Sequence, residues 1–430
     1  MQSDINKRYS LSINTNGGNI ALRENILYKT QPPFTATIGL ALGMNNNRKI
    51  MKKYTLLYIV LFLFLCGCSN KQQNFRSADL TTVIDTAKII VRYAEGFSID
   101  YINNDLCLLK IQDPHKENST CYKFALIKKG CKHEVIPEEY VRIEYPISST
   151  ICMTSLQLSN FIKLNETDAV VGITNTRHLF NKDIKKQIKS GHTVRIGIEG
   201  NFDNEKIMGI NPDIILISPF KRGGYELLKE INIPLIPHLG YKERSPLAQA
   251  EWIKFTGLLL GKTEKANTIF DGIEKKYNGL KEKVVKTKNR PMVLSGEIRG
   301  SAWYAPGGKS FLAQLFNDAG AHYFLHNNCE SGGINLDYET VYSRAANARY
   351  WRIVNNYDGV FTYEALSDED GRYEDFRAFK EKGIIYCNMR ETPFYESMPM
   401  EPDLILADFI HIFHPEILPN HSPVYYTLLK

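Results

Sequence analysis

SPLAQAEWIKFTGLLLGKTEKANTIFDGIEKKYNGLKEKVVK, residues 245–286, is the stretch whose reading decides the fold. Ser245-Pro246 opens a helix. The serine hydroxyl caps the first free amides, and proline at the first helical position gives up only an N–H that would have no helical partner. Gly261 ends it, because glycine takes the left-handed backbone of a helix C-terminus without a Cβ clash. Thr263 then caps a second helix predicted to reach about Lys286, roughly 24 residues and about 35 Å long. Ile269, Ile273, Tyr277 and Leu280 recur at helical spacing, so one face of this rod is apolar and must be buried.

On both sides of the rod, short apolar runs alternate with helical stretches. Val170-Val171-Gly172-Ile173, Val194–Ile198 and Asp213-Ile214-Ile215-Leu216-Ile217 precede it; Pro291–Gly296, Gly359–Thr362 and Gly383–Cys387 follow. Runs of this kind suit strands buried on both faces, and their alternation with helices predicts parallel sheets. Within Ile210-Asn211-Pro212-Asp213, Pro212 ends a helix and Asp213 stands where a buried strand begins. The expected architecture is α/β: two Rossmann-like lobes joined by a long backbone helix, with a ligand cleft between them at the carboxyl ends of the strands. One stiff helix across both lobes predicts small opening and closing motions.

Ahead of this region, Ile89–Tyr93, Leu106–Ile111, Tyr122–Ile127 and Val141–Tyr145 read as an antiparallel meander that extends the first lobe's sheet. The expected layout is an upstream extension over 1–50, a signal over 51–67 and a tether over 68–88. An N-terminal lobe over 89–244, helices over 245–288 and a C-terminal lobe over 289–430 follow.

The signal is a second informative stretch. Lys52 and Lys53 precede an apolar run, Tyr54–Leu65, and then Leu65-Cys66-Gly67-Cys68. A positive start, about a dozen apolar residues and a small residue before the cut describe a secretory signal, too short for a span of about 20 residues. The Leu-Cys-Gly-Cys box resembles a bacterial lipoprotein signal, so Cys68 is expected to carry a lipid and the chain beyond it to work on the periplasmic or cell-surface side. Cys66 competes, but the large Leu65 precedes it. Residues 1–50, polar and rich in Asn, read as sequence upstream of Met51 as initiator; the alternative is a natural disordered extension.

The formal charge of +6 belongs to the leader. Residues 1–67 hold eight Lys and Arg against two acids, leaving 45 of each sign from totals of 53 and 47. A balanced chain gives no reason to expect a nucleic-acid partner. Six cysteines remain beyond the lipid pair: Cys107, Cys121, Cys131, Cys152, Cys329 and Cys387. An exported location permits disulfides, and one local bridge among Cys107, Cys121 and Cys131 is compatible with their spacing; so are free buried thiols.

Several segments suggest a family when taken in order. They are Asn204-Glu205-Lys206-Ile207 with Ile210–Leu216, Glu251-Trp252-Ile253-Lys254-Phe255 with Leu260-Gly261-Lys262, Pro306–Leu312 with Ala319-Gly320, and Leu336-Asp337-Tyr338-Glu339. Pro402–Asp408 with His414-Pro415-Glu416 completes the set. Together with the upstream lipobox, residues 85 to 428 resemble the helical-backbone (class III) substrate-binding proteins of ABC importers for iron–siderophore complexes, haem or cobalamin. The resemblance implies a monomeric receptor anchored to a membrane by its lipid. It implies a metal chelate as cargo rather than a cofactor, permease and ATPase subunits as partners, and no catalysis. It also implies that Glu205 and Glu339 each present an acid to an arginine pocket on the permease, where rim charges steer encounter and fix register.

Candidate cleft residues are those in loops after predicted strands. The first lobe offers Thr174, Asn175, Arg177, His178, Phe220, Lys221 and Arg222; the second offers Arg299, Trp303, Tyr304, Tyr363 and Arg390. Aromatic rings lie flat on a macrocycle or catecholate, and arginines pair with carboxylates or phosphate. For bare metal, His322-x3-His326 could place two imidazoles on one helical face near Glu330, and His411 with His414 is another pair, but neither has the three or four converging ligands required. His178 is the cleft candidate for an axial haem ligand. Gly307-Gly308-Lys309-Ser310 lacks the glycine that a phosphate loop needs five positions before Gly308, Trp303 standing there instead, and no nucleophile elbow, zincin motif or dinucleotide fingerprint is present. The competing readings are a chelatase-like enzyme on the same scaffold and a receptor for free zinc or manganese.

Overall fold

The computed structural model describes residues 87–430 apart from 116–118, 132–134, 175–178, 199, 220–224 and 226. The extension 1–50, the signal 51–67, Cys68 and nearly all of the tether lie outside the described residues.

The first strands among the described residues form a sheet of their own. β1 (Phe97–Tyr101), β2 (Leu106–Ile111), β3 (Tyr122–Lys128) and β4 (Val141–Tyr145) pair in sequence order. This differs from the expected meander in three ways. Ile89–Tyr93 is not a strand, β3 and β4 run parallel, and among the described residues none of the four strands hydrogen-bonds to the first lobe's sheet. The apolar Ile89–Tyr93 run serves as an anchor instead. The backbone amides of Arg92, Tyr93 and Ala94 all donate to the carboxylate of Glu251, at 2.6–3.0 Å.

The first lobe holds β5 (Thr150–Cys152), β6 (Val170–Ile173), β7 (Val194–Arg195), a short hairpin of β8 (Gly197–Ile198) and β9 (Asn201–Phe202), then β10 (Ile214–Ile217) and β11 (Leu235–Pro237). Its main sheet has the order β11-β10-β5-β6-β7 with every pair parallel. All four residues of β10 are buried. Ile214 and Leu216 enter the main core, while Ile215 and Ile217 enter a separate cluster on the opposite face, as a sheet covered on both sides requires. Helices α1 (Ser155–Leu164), α2 (Lys182–Ser190) and α3 (Asn204–Ile210) belong to this lobe. Asp213 does stand at the start of its strand. Its Oδ2 accepts from the backbone amides of Ser148 and Ser149 and from the Ser148 hydroxyl, tying β10 to the chain entering β5.

Helix α4 (Pro246–Leu259) starts as expected: the Ser245 hydroxyl accepts from Ala248 N at 3.1 Å, and Pro246 is its first residue. It ends at Leu260, with Gly261 at φ +65 beyond. All fourteen of its residues are buried. The rod, α5 (Thr263–Val284), is 22 residues, about 33 Å. Thr263 is its first residue rather than its cap, and the buried stripe is Ala266, Phe270, Ile273, Tyr277 and Val284, with Ile269 and Leu280 half-buried beside it. α5 leaves the first lobe and leads into the second, where the Tyr277 hydroxyl donates to Asp318 at 2.8 Å.

The second lobe contains β12 (Met292–Ser295), β13 (Glu297–Arg299), β14 (Ala302–Pro306), β15 (His322–Tyr323), β16 (Gly333–Leu336), β17 (Tyr350–Asn355), β18 (Ile384–Asn388) and β19 (Thr427–Leu428). Its main sheet runs β15-β12-β17-β18-β19, parallel except at the last pair. β13, β14 and β16 make an antiparallel sheet at the carboxyl end of β12. The turn into β13 needs Gly296: its φ is +103, and a Cβ there would lie 2.2 Å from the Tyr304 carbonyl oxygen. The helices are α6 (Phe311–Asp318), α7 (Tyr338–Ala345), α8 (Tyr363–Glu369), α9 (Arg377–Lys380), α10 (Phe394–Ser397) and α11 (Pro402–Phe413). The predicted strand Gly359–Thr362 is a loop. Gly359 has φ +100, Val360 is 85 % exposed, and the Thr362 hydroxyl caps α8, so three apolar-looking residues serve as a helix approach.

Candidate functional site

Each lobe has a place where chain order reverses across its sheet: between β5 and β10 in the first lobe, and beside β12 in the second. Ligands of open parallel sheets settle in the crevice outside the carboxyl ends of strands at such points. The loops there face each other across the lobes. Phe180, beyond β6, donates its backbone N–H to both oxygens of Glu396, beyond β18, at 3.1 and 3.0 Å. Glu396 is only 3 % exposed, and burial raises its pKa above the usual glutamate value although the Phe180 and Asn181 amides oppose this. Lys163 on α1 pairs with Glu401 just before α11 at 3.2 Å. These contacts pin one flank of the lobe junction while α4 and α5 hold another.

The second lobe contributes an aromatic and basic rim. Arg299 extends from β13 with its guanidinium 4.6 Å from the centre of the Tyr304 ring and 3.0 Å from Glu297. Tyr304 and Tyr395 are 36 % and 40 % exposed, large rings left open where core packing would normally claim them. Arg390, after β18, pairs with Asp358, after β17, at 3.0 Å, so the two loops at those carboxyl ends are linked by one ion pair.

Two expected cleft residues belong elsewhere. Trp303 is fully buried. It stacks among Trp351, Tyr373 and Phe376 at 5.4–5.8 Å, and its indole N–H donates to Ser295 O. β14 alternates, so when Tyr304 points out Trp303 must point in. Tyr363 is 7 % exposed, opens α8, and accepts from Ile384 N through its hydroxyl. Thr174 does follow β6 directly but is buried, its hydroxyl donating to Met153 O at 2.8 Å. Asn175, Arg177, His178, Phe220, Lys221 and Arg222 lie outside the described residues.

Glu205 and Glu339 occupy equivalent positions. Glu205 is the second residue of α3, whose cap Asp203 accepts from Lys206 N; Glu339 is the second residue of α7, whose cap Asp337 accepts from Thr340 N. Both carboxylates are exposed. An acid in the first turn is favoured by the helix dipole.

The histidine pairs do not make a helical metal face. His322 sits in β15 and His326 in the turn after it, their rings 6.2 Å apart. His411 and His414 are occupied: His411 faces Leu418 O, and buried His414 faces Gly320 O. Among the described residues no group of three or more His, Cys, Asp or Glu converges on a metal position. The six cysteines beyond the lipobox are free thiols; burial pushes the Cys107 thiol up to about 12 and the Cys387 thiol up to about 11.

The profile of the periplasmic binding protein family matches residues 151–390. Two uncharacterized lipoproteins of Methanocaldococcus jannaschii are similar over most of the chain. One is 25% identical over 84% of this chain and 92% of its own length, the other 24% identical over 88% and 100%. Among solved structures, a periplasmic binding protein from Veillonella parvula superposes with a TM-score of 0.52 at 13% identity, covering 74% of this chain and 98% of that one. A periplasmic heme binding protein from Pseudomonas aeruginosa gives 0.51 at 15% identity, covering 65% and 96%. These structural likenesses show the two-lobed fold.

Proposed function

Because the chain belongs to the periplasmic binding protein family, we propose that it is the substrate-binding lipoprotein of an ABC importer, capturing a metal chelate and delivering it to a membrane permease. The observation that carries this reading is a mainly parallel sheet in each lobe, the two lobes joined by α5 and meeting where Phe180 beyond β6 donates to Glu396 beyond β18. That geometry suits a receptor that closes slightly on a bulky ligand and returns it unchanged. Lipid attachment at Cys68 and an extracytoplasmic location accord with the lipobox and with relatives that are named lipoproteins.

The chelate class, a ferric siderophore, haem or cobalamin, draws support from the second lobe's rim. Arg299 over Tyr304, with Tyr395 and Arg390 nearby in the chain's carboxyl-end loops, offers flat apolar area and cationic donors for an anionic conjugated ligand. Docking falls to Glu205 and Glu339, one exposed acid per lobe at matching helix starts, so a loaded and closed protein meets the permease through both lobes at once. ATP hydrolysis belongs to partner subunits.

A thermal-shift panel of haem, cobalamin and ferric siderophores tests the reading. A ligand held at 100 times its dissociation constant adds about 2.7 kcal/mol of stability. One member of the panel is expected to raise the melting temperature saturably and be recovered unaltered. Stabilisation by none of them, or conversion of the bound chelate to product, defeats the proposal.

A further inference from the structure

Apart from the aromatic rim, a hollow of about 370 Å³ opens at the lobe junction. Arg244 and Ser245 line it from the end of the first lobe, and Lys309, Ser310, His322 and His326 line it from the second. Among the described residues that line it none is an acid. Arg244 bonds only to neutral groups among the described residues, its guanidinium reaching His115 Nδ1 at 3.0 Å and Pro114 O at 3.5 Å. Lys309 is exposed at its mouth and has no carboxylate within ion-pair distance among the described residues. Ser245 and Ser310 cap α4 and α6, so two helix N-termini bring their positive ends to the same wall. Partial burial first, and then the neighbouring Arg290 and His326, lower the proton affinity of His322.

Gathering cations in a concave place without a counter-charge is unfavourable unless an anion offsets it. The donors left to a ligand are a planar guanidinium fork, an ammonium, the His322 ring and the Ser245 hydroxyl, since the Ser310 hydroxyl donates to Gly307 O at 2.7 Å and His326 spends its Nδ1–H on Tyr323 O. We propose that this hollow binds a phosphate-class oxyanion, as the free ion or as the phosphoryl group of a small ligand. It shares no residue with the rim proposed for the chelate, so it is a second site. Because Arg244 belongs to one lobe and Lys309 to the other, an anion held by both favours the arrangement of lobes in which they are close.

The test is calorimetric titration of the purified full chain with inorganic phosphate and with glycerol phosphate, against chloride at matched ionic strength. Saturable binding of phosphate supports the free ion as ligand; binding of the monoester alone supports a phosphoryl group on an organic molecule. Arg244→Gln and Lys309→Gln, both at exposed positions, are each expected to weaken the binding by about tenfold or more. Lys189→Gln on α2 should leave it within about twofold, the screening effect of one distant surface charge. Unchanged melting temperatures without phosphate confirm that the variants fold. Absence of saturable binding of either compound, or unaltered affinity in both pocket variants, overturns the inference. Chelate binding measured on the same variants is expected to persist, which separates this result from the cargo reading.

Discussion

Replacing Glu251 by Gln should be among the most damaging conservative changes in the molecule. Glu251 is fully buried, and its carboxylate accepts from three successive backbone amides, Arg92, Tyr93 and Ala94, and from Lys254 Nζ at 2.7 Å. Lys254 is 3 % exposed at its side chain; its other contacts are Ile90 O at 2.8 Å and the Phe270 ring at 4.4 Å. Glutamine keeps the shape but turns one acceptor into a donor aimed at other donors, and leaves the ammonium buried without its counter-charge. Removing one partner of a buried pair costs roughly 3–5 kcal/mol. At about 2 °C per kcal/mol for a chain of this size, melting should fall by about 6–10 °C. Lys254→Met alone should cost less, because three amides still satisfy the carboxylate. The double variant Glu251→Gln/Lys254→Met should be clearly more stable than the sum of the two singles predicts, since it removes the orphaned charge. Thermal unfolding followed by circular dichroism reads all four corners of the cycle. A drop below about 2 °C for Glu251→Gln, or strict additivity in the double variant, would refute the view that this cluster anchors residues 87–96 to α4.

Other consequences are independent of that cluster. Asp408, also fully buried, accepts from Val424, Tyr425 and Tyr426 amides and from His421 Nε2. Asp408→Asn should cost about 2–4 kcal/mol and release amide-exchange protection around β19 before the rest of the second lobe, because each buried donor left unmet costs about 1–3 kcal/mol. Glu396 has a raised pKa in the folded state, so the stability it contributes is fully present below the ordinary glutamate value and is lost as pH rises through the raised one. Glu396→Gln should therefore flatten the pH dependence of melting on that flank, and a parallel profile for variant and parent would count against it. Glu205→Arg with Glu339→Arg should abolish import while chelate affinity stays within about twofold, since rim charges act on encounter and register; transport at the parental rate with matched loading would remove docking from these residues.

Much of the scaffold was legible because its signals are local. Ser245-Pro246, Gly261 and Pro212-Asp213 act through backbone geometry within a few residues, and the structure uses each as its chemistry suggests. Strands β6, β10, β12 and β18 announced themselves as apolar runs because burial on two faces leaves no polar alternation to hide them, whereas β5, β11, β15, β17 and β19, short or mixed with polar residues, gave no such signal. The candidate site was less legible. Arg299 and Tyr304 stand at the carboxyl end of β12, yet Trp303 between them turns inward, a matter of strand phase that one residue of register decides. Tyr363 was drawn to the cleft by an imagined strand, and Gly359–Thr362 failed as one because a run of four residues carries too little periodicity to outweigh a capping threonine.

By itself the sequence determined the alternation of strand and helix, the rod between two lobes, the Leu-Cys-Gly-Cys box and the balance of charge beyond residue 67. Those follow from periodicity, caps and composition, which neighbours along the chain enforce. Tertiary structure alone decided that Glu251 would hold residues 158 positions away, that Glu396 would close on Phe180 across the junction, and that Arg244 and Lys309 would share one hollow. Such contacts join segments whose separation along the chain bears no relation to their distance in space, so no local pattern encodes them.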